Sequence, residues 1–418
     1  MFDTDETTAQ RLDDEDPLRR MSEEFLFPAG ERGKKIYFCG NSLGLQPSGA
    51  RAALLQELDD WAGWGVDGHF EARHPWYGYD EDLRAPMAGL VGALPDEVVA
   101  MNALTVNLHL LMVSFYRPTA RRFKILAEAG AFPSDRYAVA SQAAFHGFDP
   151  QEAIIEMEPR PGSWCLTTED IVATLKERGE EIALVLLGGV NYYTGQVLDM
   201  KTIAQVGQSM GCVVGYDLAH AAGNVPMELH DWGVDFASWC SYKYLNSGPG
   251  SVSGVFVHQK HADRADLPRF AGWWGNDPLT RFEMPEHFVP QHGAAGWQLS
   301  NAPVFSMAVL RASLALFASV GMEALREKSL RMSTYLLALM DEIPGARFQI
   351  ITPTQPEARG SQVSIYVEEG AKELFQKLQE SDVVCDFRKP NVIRLAPVPL
   401  YNGFVEIWKF WTVLRSVA

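Results

Sequence analysis

Short apolar segments alternate with longer helical ones over the first three quarters of this chain of 418 residues. Apolar runs bounded by glycine, proline or charge predict buried strands, and longer segments with helical periodicity predict helices. The predicted strands are 97–102, 123–127, 153–155, 182–187, 211–217 and 235–240, and a helix at 200–210 connects the fourth to the fifth. Repeated strand–helix–strand connections favour an α/β fold whose mostly parallel sheet is sandwiched by helices.

A different pattern begins near Pro303. Predicted helices at 304–320 and 322–340 are followed by predicted strands at 347–351 and 362–367. A helix at 371–380, a strand at 392–395 and a last helix come after them. This pattern predicts a smaller α+β domain at 304–418, with an exposed loop at 353–360. We expect a large domain at 61–303 and an N-terminal segment, 1–60, that packs with the small domain.

Two charged residues stand at the ends of predicted buried strands. Lys243 follows the apolar 235–240 segment, and Asp217 ends the 211–217 strand. Each has an ordinary explanation, because most lysines are solvated and an aspartate after a strand often caps a helix. However, strand ends in an open α/β sheet line one ligand site. A buried lysine nucleophile with a carboxylate for a pyridine nitrogen suits pyridoxal 5'-phosphate, and the two residues together favour this cofactor.

Arg394 lies in the otherwise apolar strand 392–395. A buried charge is costly unless it is paired. A guanidinium matches a carboxylate with two parallel hydrogen bonds, so the carboxylate of a small substrate is one partner and an internal salt bridge is the other.

Composition narrows the class of protein. The formal net charge of −17 argues against nucleic acid and anionic membranes as partners, because both bind basic surfaces. The first residues do not resemble a secretory signal and no apolar run is long enough to span a bilayer, so we expect a cytoplasmic protein. Five cysteines without a CxxC pair suggest neither a disulfide framework nor a zinc site, and we expect no metal.

Several longer motifs carry a family resemblance. They are DLAHAAGN at 217–224, HDWGVDF at 230–236, SYKYLN at 241–246, GNSLG at 40–44, FPSD at 132–135, YTGQ at 193–196 and RLAPVPLYN at 394–402. With them the chain closely resembles the kynureninase family of fold-type I pyridoxal-phosphate enzymes, over nearly its whole length. The resemblance implies a seven-stranded sheet and a homodimer with the active site at its interface.

The resemblance also implies roles for individual residues. Lys243 would hold the cofactor as a Schiff base, Asp217 would pair with the pyridine nitrogen and Tyr242 would relay a proton. Other cofactor contacts would come from Leu104, Thr105, Phe132, Ser134, Asp135, His220, Trp273 and Asn301, the last two across the dimer interface. Substrate contacts would come from Ser42, His69, Ser300, Asn301 and Arg394. One departure is Gly188, where some relatives have a phosphate-side serine.

The implied activity is hydrolysis of L-kynurenine or 3-hydroxy-L-kynurenine to L-alanine and anthranilate or 3-hydroxyanthranilate, in the kynurenine pathway of tryptophan catabolism and NAD biosynthesis. The polar His69, Ser300 and Asn301 favour acceptance of the hydroxylated substrate. Two alternatives remain open. A cysteine desulfurase would need a reactive cysteine on a mobile loop, whereas Cys385 lies in a strand-like segment. An inactive cofactor-binding scaffold is the other alternative, and the intact Lys243, Asp217 and Arg394 argue against it.

Overall fold

The computed structural model describes residues 3–31, 33–343 and 347–417. A sheet of seven strands forms its centre: β1 Val98–Met101, β2 Lys124–Glu128, β3 Ile154–Met157, β4 Ile182–Gly188, β5 Val213–Asp217, β6 Phe236–Trp239 and β7 Ser253–Val257. Their order across the sheet is β1-β7-β6-β5-β4-β2-β3. The six predicted strands are present, with bounds shifted by a few residues, and the α/β prediction is confirmed.

Strand β7 is the exception to the parallel arrangement. It runs antiparallel to β6 and β1, while β6, β5, β4, β2 and β3 pair in parallel. The connection from β6 to β7 carries Lys243, and Gly248 and Gly250 turn it with φ values of 88° and 71°. Glycine adopts this backbone region without strain, which explains the glycine-rich stretch after the lysine.

Apolar cores cover both faces of the sheet. Along β4, Leu184 and Leu186 pack into one core, whereas Val185 and Leu187 pack into the other. Alternate side chains of a strand point to opposite faces, so a strand buried on both sides is apolar throughout. This explains why these strands appear in the sequence as continuous apolar runs.

The described helices include those that cover the sheet and those of the C-terminal region. They are Glu6–Asp14, Ala50–Trp64, Gly68–Glu71, Glu81–Val91, Leu104–Phe115, Pro133–Phe145, Pro150–Ala153, Thr168–Arg178, Met200–Ser209, Val304–Val320, Met322–Asp341, Ala371–Glu380 and Phe404–Val417. Short 3-10 turns lie at Arg19–Glu24, Gly65–Asp67, Trp76–Gly78, Pro95–Glu97, Gln259–His261, Trp273–Gly275, Arg281–Glu283, Gly293–Trp297 and Pro356–Ala358. The predicted helices at 200–210, 304–320, 322–340 and 371–380 are confirmed.

A second, antiparallel sheet lies in the C-terminal region. Its strands are β8 Phe348–Ile350, β9 Val363–Val367, β10 Asp386–Arg388 and β11 Val392–Leu395, in the order β8-β9-β11-β10. The loop predicted at 353–360 is exposed only in its middle. Arg359 at its end is buried, and its guanidinium donates to Ser333 Oγ and Thr334 Oγ1, which replaces hydrogen bonds to water.

The N-terminal segment contacts the C-terminal region at several points. Helix Glu6–Asp14 packs on Phe404–Val417, and Ile36–Tyr37 pairs in parallel with Val383–Val384. Asp16 forms a buried ion pair with Lys328 at 2.7 Å. These contacts support the predicted association of 1–60 with the small domain, while the three boundaries stay a prediction.

The remaining short strands also lie in the N-terminal segment: Phe25–Leu26 pairs with Gln46–Pro47, and Ala29–Gly30 pairs with Gly33–Lys34.

Across the described ranges, no single helix is both long and apolar enough to cross a membrane. Only Val304–Val320 and Met322–Asp341 taken together have the necessary length and composition, and they are bent by 81° relative to each other.

Candidate active site

A cavity of about 570 Å³ lies at the carboxyl ends of the parallel strands. Glu128, Gly188 and Asp217 are the last residues of β2, β4 and β5, and all three line this cavity. In open α/β sheets ligands bind at this edge of the sheet. The cavity is therefore at the position that the sequence predicts for a ligand site.

Lys243 reaches this cavity from the connection that follows β6. Its Nζ lies 2.9 Å from Nε2 of His220 and 5.9 Å from the centroid of the Phe132 ring. Burial, and then the positive charge of Lys243, lower the pKa of His220 well below its usual value. A neutral imidazole can share a hydrogen bond with the amine without adding a second positive charge.

The GNSLG segment near the N-terminus passes directly behind Lys243. The Gly44 N–H donates to the Tyr242 carbonyl at 2.8 Å, and a Cβ on Gly44 would lie only 2.3 Å from the Lys243 carbonyl oxygen. Only glycine permits so close an approach of two backbones. This packing brings the preceding Asn41 and Ser42 to the cavity wall.

Asp217 and Asp135 form a buried carboxyl pair. Asp217 accepts a hydrogen bond from the Ala219 N–H at 2.7 Å, and the Asp135 carboxyl group is close enough to influence its pKa. Burial, and then the charge of Asp217, raise the pKa of Asp135 well above its usual value. Burial also raises the pKa of Asp217, although the nearby Lys243 acts in the opposite direction. The two carboxyl groups and the Lys243 side chain therefore interact electrostatically within one cavity.

Another part of the cavity wall offers hydrogen-bond donors for an anion. Helix Leu104–Phe115 begins here, and its N-cap residue, Ala103, makes no side-chain capping bond. The hydroxyl groups of Thr105 and Ser134 lie 2.6 Å apart beside this helix start. Free backbone N–H groups at a helix N-terminus favour a phosphate or a carboxylate.

Arg394 lines the cavity and is only 1% exposed. Its Nη1 donates to the Tyr192 carbonyl at 2.7 Å, and its Nη2 lies 2.8 Å from Asp386 Oδ2. The internal ion pair that the sequence left open is therefore present. Each of these terminal nitrogens carries two N–H groups, and these contacts use one of each, so a second N–H on each can donate to a ligand.

Tyr242 also lines the cavity, with its ring centroid 6.0 Å from Lys243 Nζ. Burial, and then the neighbouring Cys240 thiol, raise the pKa of Tyr242. The phenol therefore stays protonated and can act as a hydrogen-bond and proton donor.

The structure brings together most of the residues that the sequence singles out. Those lining the cavity are Ser42, Leu104, Thr105, Phe132, Ser134, Asp135, Asp217, His220, Tyr242, Lys243 and Arg394. Four others do not line it within one chain: His69, Trp273, Ser300 and Asn301. His69 instead places Nδ1 2.9 Å from the Val66 carbonyl, and Trp273 is 43% exposed.

Sequence reasoning missed other residues of the cavity, among them Asn41, Glu128, Asn191, Tyr192 and Arg388. Glu128 had a detectable signal, since it ends an apolar strand in the same way as Asp217. Arg388 pairs with Asp386, two residues before it on β10, and the pairing of β10 with β11 places Asp386 beside Arg394, which the local sequence does not indicate.

One cluster away from the cavity has metal-ligand spacing. Glu97, His230 and His258 place their ligand atoms within 4.8 Å of one another. His230 Nδ1 lies 2.9 Å from Glu97 Oε1, and His258 Nδ1 accepts from the Lys260 N–H at 3.0 Å. Hydrogen bonds already use these ring nitrogens, so we assign no metal to the cluster.

Comparison with known proteins places this chain in a family. The kynureninase of Myxococcus xanthus is 54% identical over 419 aligned residues, which cover 100% of this chain and 98% of the relative. The chain belongs to the kynureninase family. The kynureninase of Nematostella vectensis is 48% identical, with 98% of this chain and 93% of the relative covered. The model of the kynureninase C-terminal domain matches residues 325–414, which include Arg394.

Solved structures share the fold at greater distance. A C-DES mutant with glycine covalently linked to its PLP cofactor has a TM-score of 0.77 and 19% identity, covering 92% of this chain and 97% of that one. The cysteine desulfurase CsdA of Escherichia coli has a TM-score of 0.77 and 16% identity, covering 96% and 98%. Such low identity shows a common fold alone.

The match to the kynureninase family argues against the cysteine desulfurase alternative, and so does the position of Cys385. Cys385 lies between Val383–Val384 and β10, it is buried, and burial raises the pKa of its thiol. A buried thiol with a raised pKa is a poor nucleophile, and it lies on no exposed loop.

Proposed function

We propose that this chain hydrolyses L-kynurenine, 3-hydroxy-L-kynurenine or both, with pyridoxal 5'-phosphate as cofactor, to L-alanine and anthranilate or 3-hydroxyanthranilate. The observation that carries the proposal is a single cavity lined by Lys243, Asp217 and Arg394 in a chain about half identical to kynureninases over its full length. We place the reaction in the cytoplasm, in tryptophan catabolism by the kynurenine pathway, which also serves NAD biosynthesis.

The cavity residues fit this cofactor. The helix start at Leu104, with the Thr105 and Ser134 hydroxyls, offers donors for the phosphate. Asp217 offers a carboxylate for the pyridine nitrogen, and Lys243 an amine for the aldehyde carbon. Phe132 is 41% exposed on the cavity wall, available to stack on the ring, and His220 lies beside the amine. When bound, pyridoxal 5'-phosphate supplies an electron sink for charge that develops on the substrate carbons.

The residues of the chain then divide the work. Arg394 binds and orients the substrate α-carboxylate, and the amine of Lys243 removes the proton of the α-carbon. Water adds to the γ-carbonyl, the Cβ–Cγ bond breaks, and the aryl fragment leaves as a carboxylate. Tyr242, kept protonated by burial, delivers a proton to the β-carbon, and a proton of the added water replaces it. The Lys243 ammonium returns its proton to the α-carbon, so that L-alanine is released and the amine is free again.

Substitution of Arg394 tests the substrate site. Arg394→Lys keeps the charge but loses the planar fork that matches a carboxylate. We expect the KM for L-kynurenine to rise on the order of tenfold or more, with a smaller change in kcat. The exposed Arg415→Lys is the matched control and should leave both constants unchanged. An unaltered KM in a folded Arg394→Lys protein would assign Arg394 to the internal ion pair alone.

We also propose a homodimer with the active site at its interface. His69, Trp273, Ser300 and Asn301 lie outside the cavity of one chain, so they contribute only if a second copy brings them close. Exposed apolar side chains support such an interface, and they cluster in sequence near His69 and Trp273: Leu55, Leu58, Trp61, Trp64, Val66, Phe70, Phe282 and Met284. Sedimentation velocity at several protein concentrations measures the assembly directly.

Ring specificity should depend on His69. A polar group that bonds the ring hydroxyl disfavours a substrate that leaves it unpaired, so His69→Phe should lower kcat/KM for 3-hydroxykynurenine more than for kynurenine. We expect kcat/KM for 3-hydroxykynurenine divided by kcat/KM for kynurenine to fall about tenfold. Steady-state kinetics on both substrates measure it, and an unchanged ratio contradicts a role for His69. His292→Phe, an exposed histidine outside the site, serves as the control.

The overall proposal is tested by an absorbance spectrum of the purified protein followed by addition of L-kynurenine. We expect a visible band from the bound cofactor and the fluorescence of released anthranilate. A band without product from either substrate contradicts the reaction, and no band after addition of pyridoxal 5'-phosphate contradicts the cofactor as well.

A further inference from the structure

Glu128 is a buried carboxylate of the cavity to which the proposed chemistry gives no role. It ends β2, is 6% exposed, and accepts two hydrogen bonds. Its Oε1 accepts from the Gly188 N–H at 2.9 Å, and its Oε2 accepts from Asn191 Nδ2 at 2.6 Å. Burial raises the pKa of Glu128, while these two donors act in the opposite direction. Because each carboxylate oxygen accepts one of these hydrogen bonds, the arrangement requires a side chain with two acceptor atoms.

The first bond leads to Asp217. Gly188 is the register partner of Asp217 across β4 and β5, and the next N–H, of Gly189, donates to the Asp217 carbonyl at 2.9 Å. Glu128 therefore holds the strand end that lies beside the carboxylate. A Cβ on Gly188 would lie 3.0 Å from Glu128 Oε1, so the small residue at this position leaves room for the contact.

The second bond leads to Arg394. Asn191 Oδ1 accepts from the backbone N–H groups of Tyr193 and Thr194, at 3.0 and 2.9 Å, and so closes the turn after β4. The carbonyl of Tyr192 in that turn accepts the bond from Arg394 Nη1. A continuous chain of hydrogen bonds thus runs from the Asp217 strand end through Glu128 and Asn191 to the guanidinium.

We propose that Glu128 is a positioning residue that fixes the spacing between Asp217 and Arg394, so that a substrate carboxylate and the cofactor ring bind in one geometry. Glu128 touches neither the substrate nor the reacting atoms in this scheme. It acts through Gly188 on one side and through the 191–194 turn on the other. The inference rests on the proposed function, because it takes the ligand of Arg394 to be the carboxylate of an amino-acid substrate.

A reciprocal exchange of side chains tests the Glu128–Asn191 link. Glu128→Gln leaves one acceptor oxygen for two donors, and Asn191→Asp places a carboxylate against the Glu128 carboxylate. In the double variant Glu128→Gln/Asn191→Asp, the new amide accepts from the Gly188 N–H and donates to the new carboxylate, whose other oxygen still closes the turn. The hydrogen-bond pattern is restored with its direction reversed at one bond.

The measurement is binding of L-alanine, which has the α-carboxylate but no Cβ–Cγ bond to cleave. Its dissociation constant is obtained by titrating the visible band of the cofactor-loaded protein, and the affinity for pyridoxal 5'-phosphate is obtained from the protein without cofactor. We expect each single variant to weaken L-alanine binding on the order of tenfold. The double variant should recover most of that loss. Such a recovery means that the two substitutions are not additive, whereas substitutions at independent sites are additive.

Controls separate the possible failures. Glu158→Gln, an exposed glutamate just beyond β3, should change nothing. If Glu128→Gln fails to fold, as judged by circular dichroism, Asn191→Asp carries the test, because it removes the donor to Glu128 but keeps the oxygen that closes the turn and leaves the Gly188 bond intact. Single variants that bind L-alanine like the unaltered protein, or a double variant whose loss is the sum of the two, overturn the positioning role. An unaltered protein that binds L-alanine but cleaves no kynurenine instead contradicts the proposed function.

Discussion

Replacement of Lys243 with alanine should abolish hydrolysis of L-kynurenine. The side chain supplies the only amine that lines the cavity among the described residues, and no neighbour can take over both the attachment of the cofactor and the removal of the α-proton. We expect kcat to fall on the order of a thousandfold or more, and the visible absorbance band of the loaded protein to change position. Anthranilate fluorescence and the absorbance spectrum measure the two effects.

The control for this experiment is Lys201→Ala. Lys201 is exposed on helix Met200–Ser209, away from the cavity, so its loss should alter neither readout. Activity of Lys243→Ala above a tenth of the unaltered rate would reject Lys243 as the residue that acts on the substrate. A correctly folded variant can be recognised from its circular dichroism spectrum.

Asp217→Asn should produce the second largest loss. The amide has nearly the same shape as the carboxylate, and it can still accept from the Ala219 N–H, but it carries no charge to keep a pyridine nitrogen protonated. The cofactor would then be a weaker electron sink. We expect kcat to fall about a hundredfold or more, with weaker binding of pyridoxal 5'-phosphate.

Asp231→Asn is the matched control, because Asp231 is exposed and lies outside the cavity. The charge argument also predicts that Asp217→Glu retains more activity than Asp217→Asn, despite its poorer fit. The opposite ranking would show that the shape of the side chain, and not its charge, limits the reaction.

The structure also shows how far local pattern identifies a site. Lys243 and Asp217 were predictable because each is a charged residue at the end of a continuous apolar run, and in a parallel sheet such ends meet at one edge. Glu128 satisfies the same rule and could have been found with it. Arg394 was found because a charge in a buried strand needs a partner, but its contact with Tyr192 joins residues that are 202 positions apart.

The sequence by itself determined the α/β fold and the family, and it predicted a lysine and a carboxylate that both line the cavity, because apolar periodicity, turn residues and motifs are local properties of the chain. The tertiary structure decided that β7 runs antiparallel, that Asp386 pairs with Arg394, and that Glu128 and Asn191 connect the two ends of the cavity. It also left His69, Trp273, Ser300 and Asn301 outside the cavity of one chain. These features depend on which strands become neighbours and on which side chains then come within hydrogen-bond distance. Both are set when the chain folds and brings residues that are distant in sequence together.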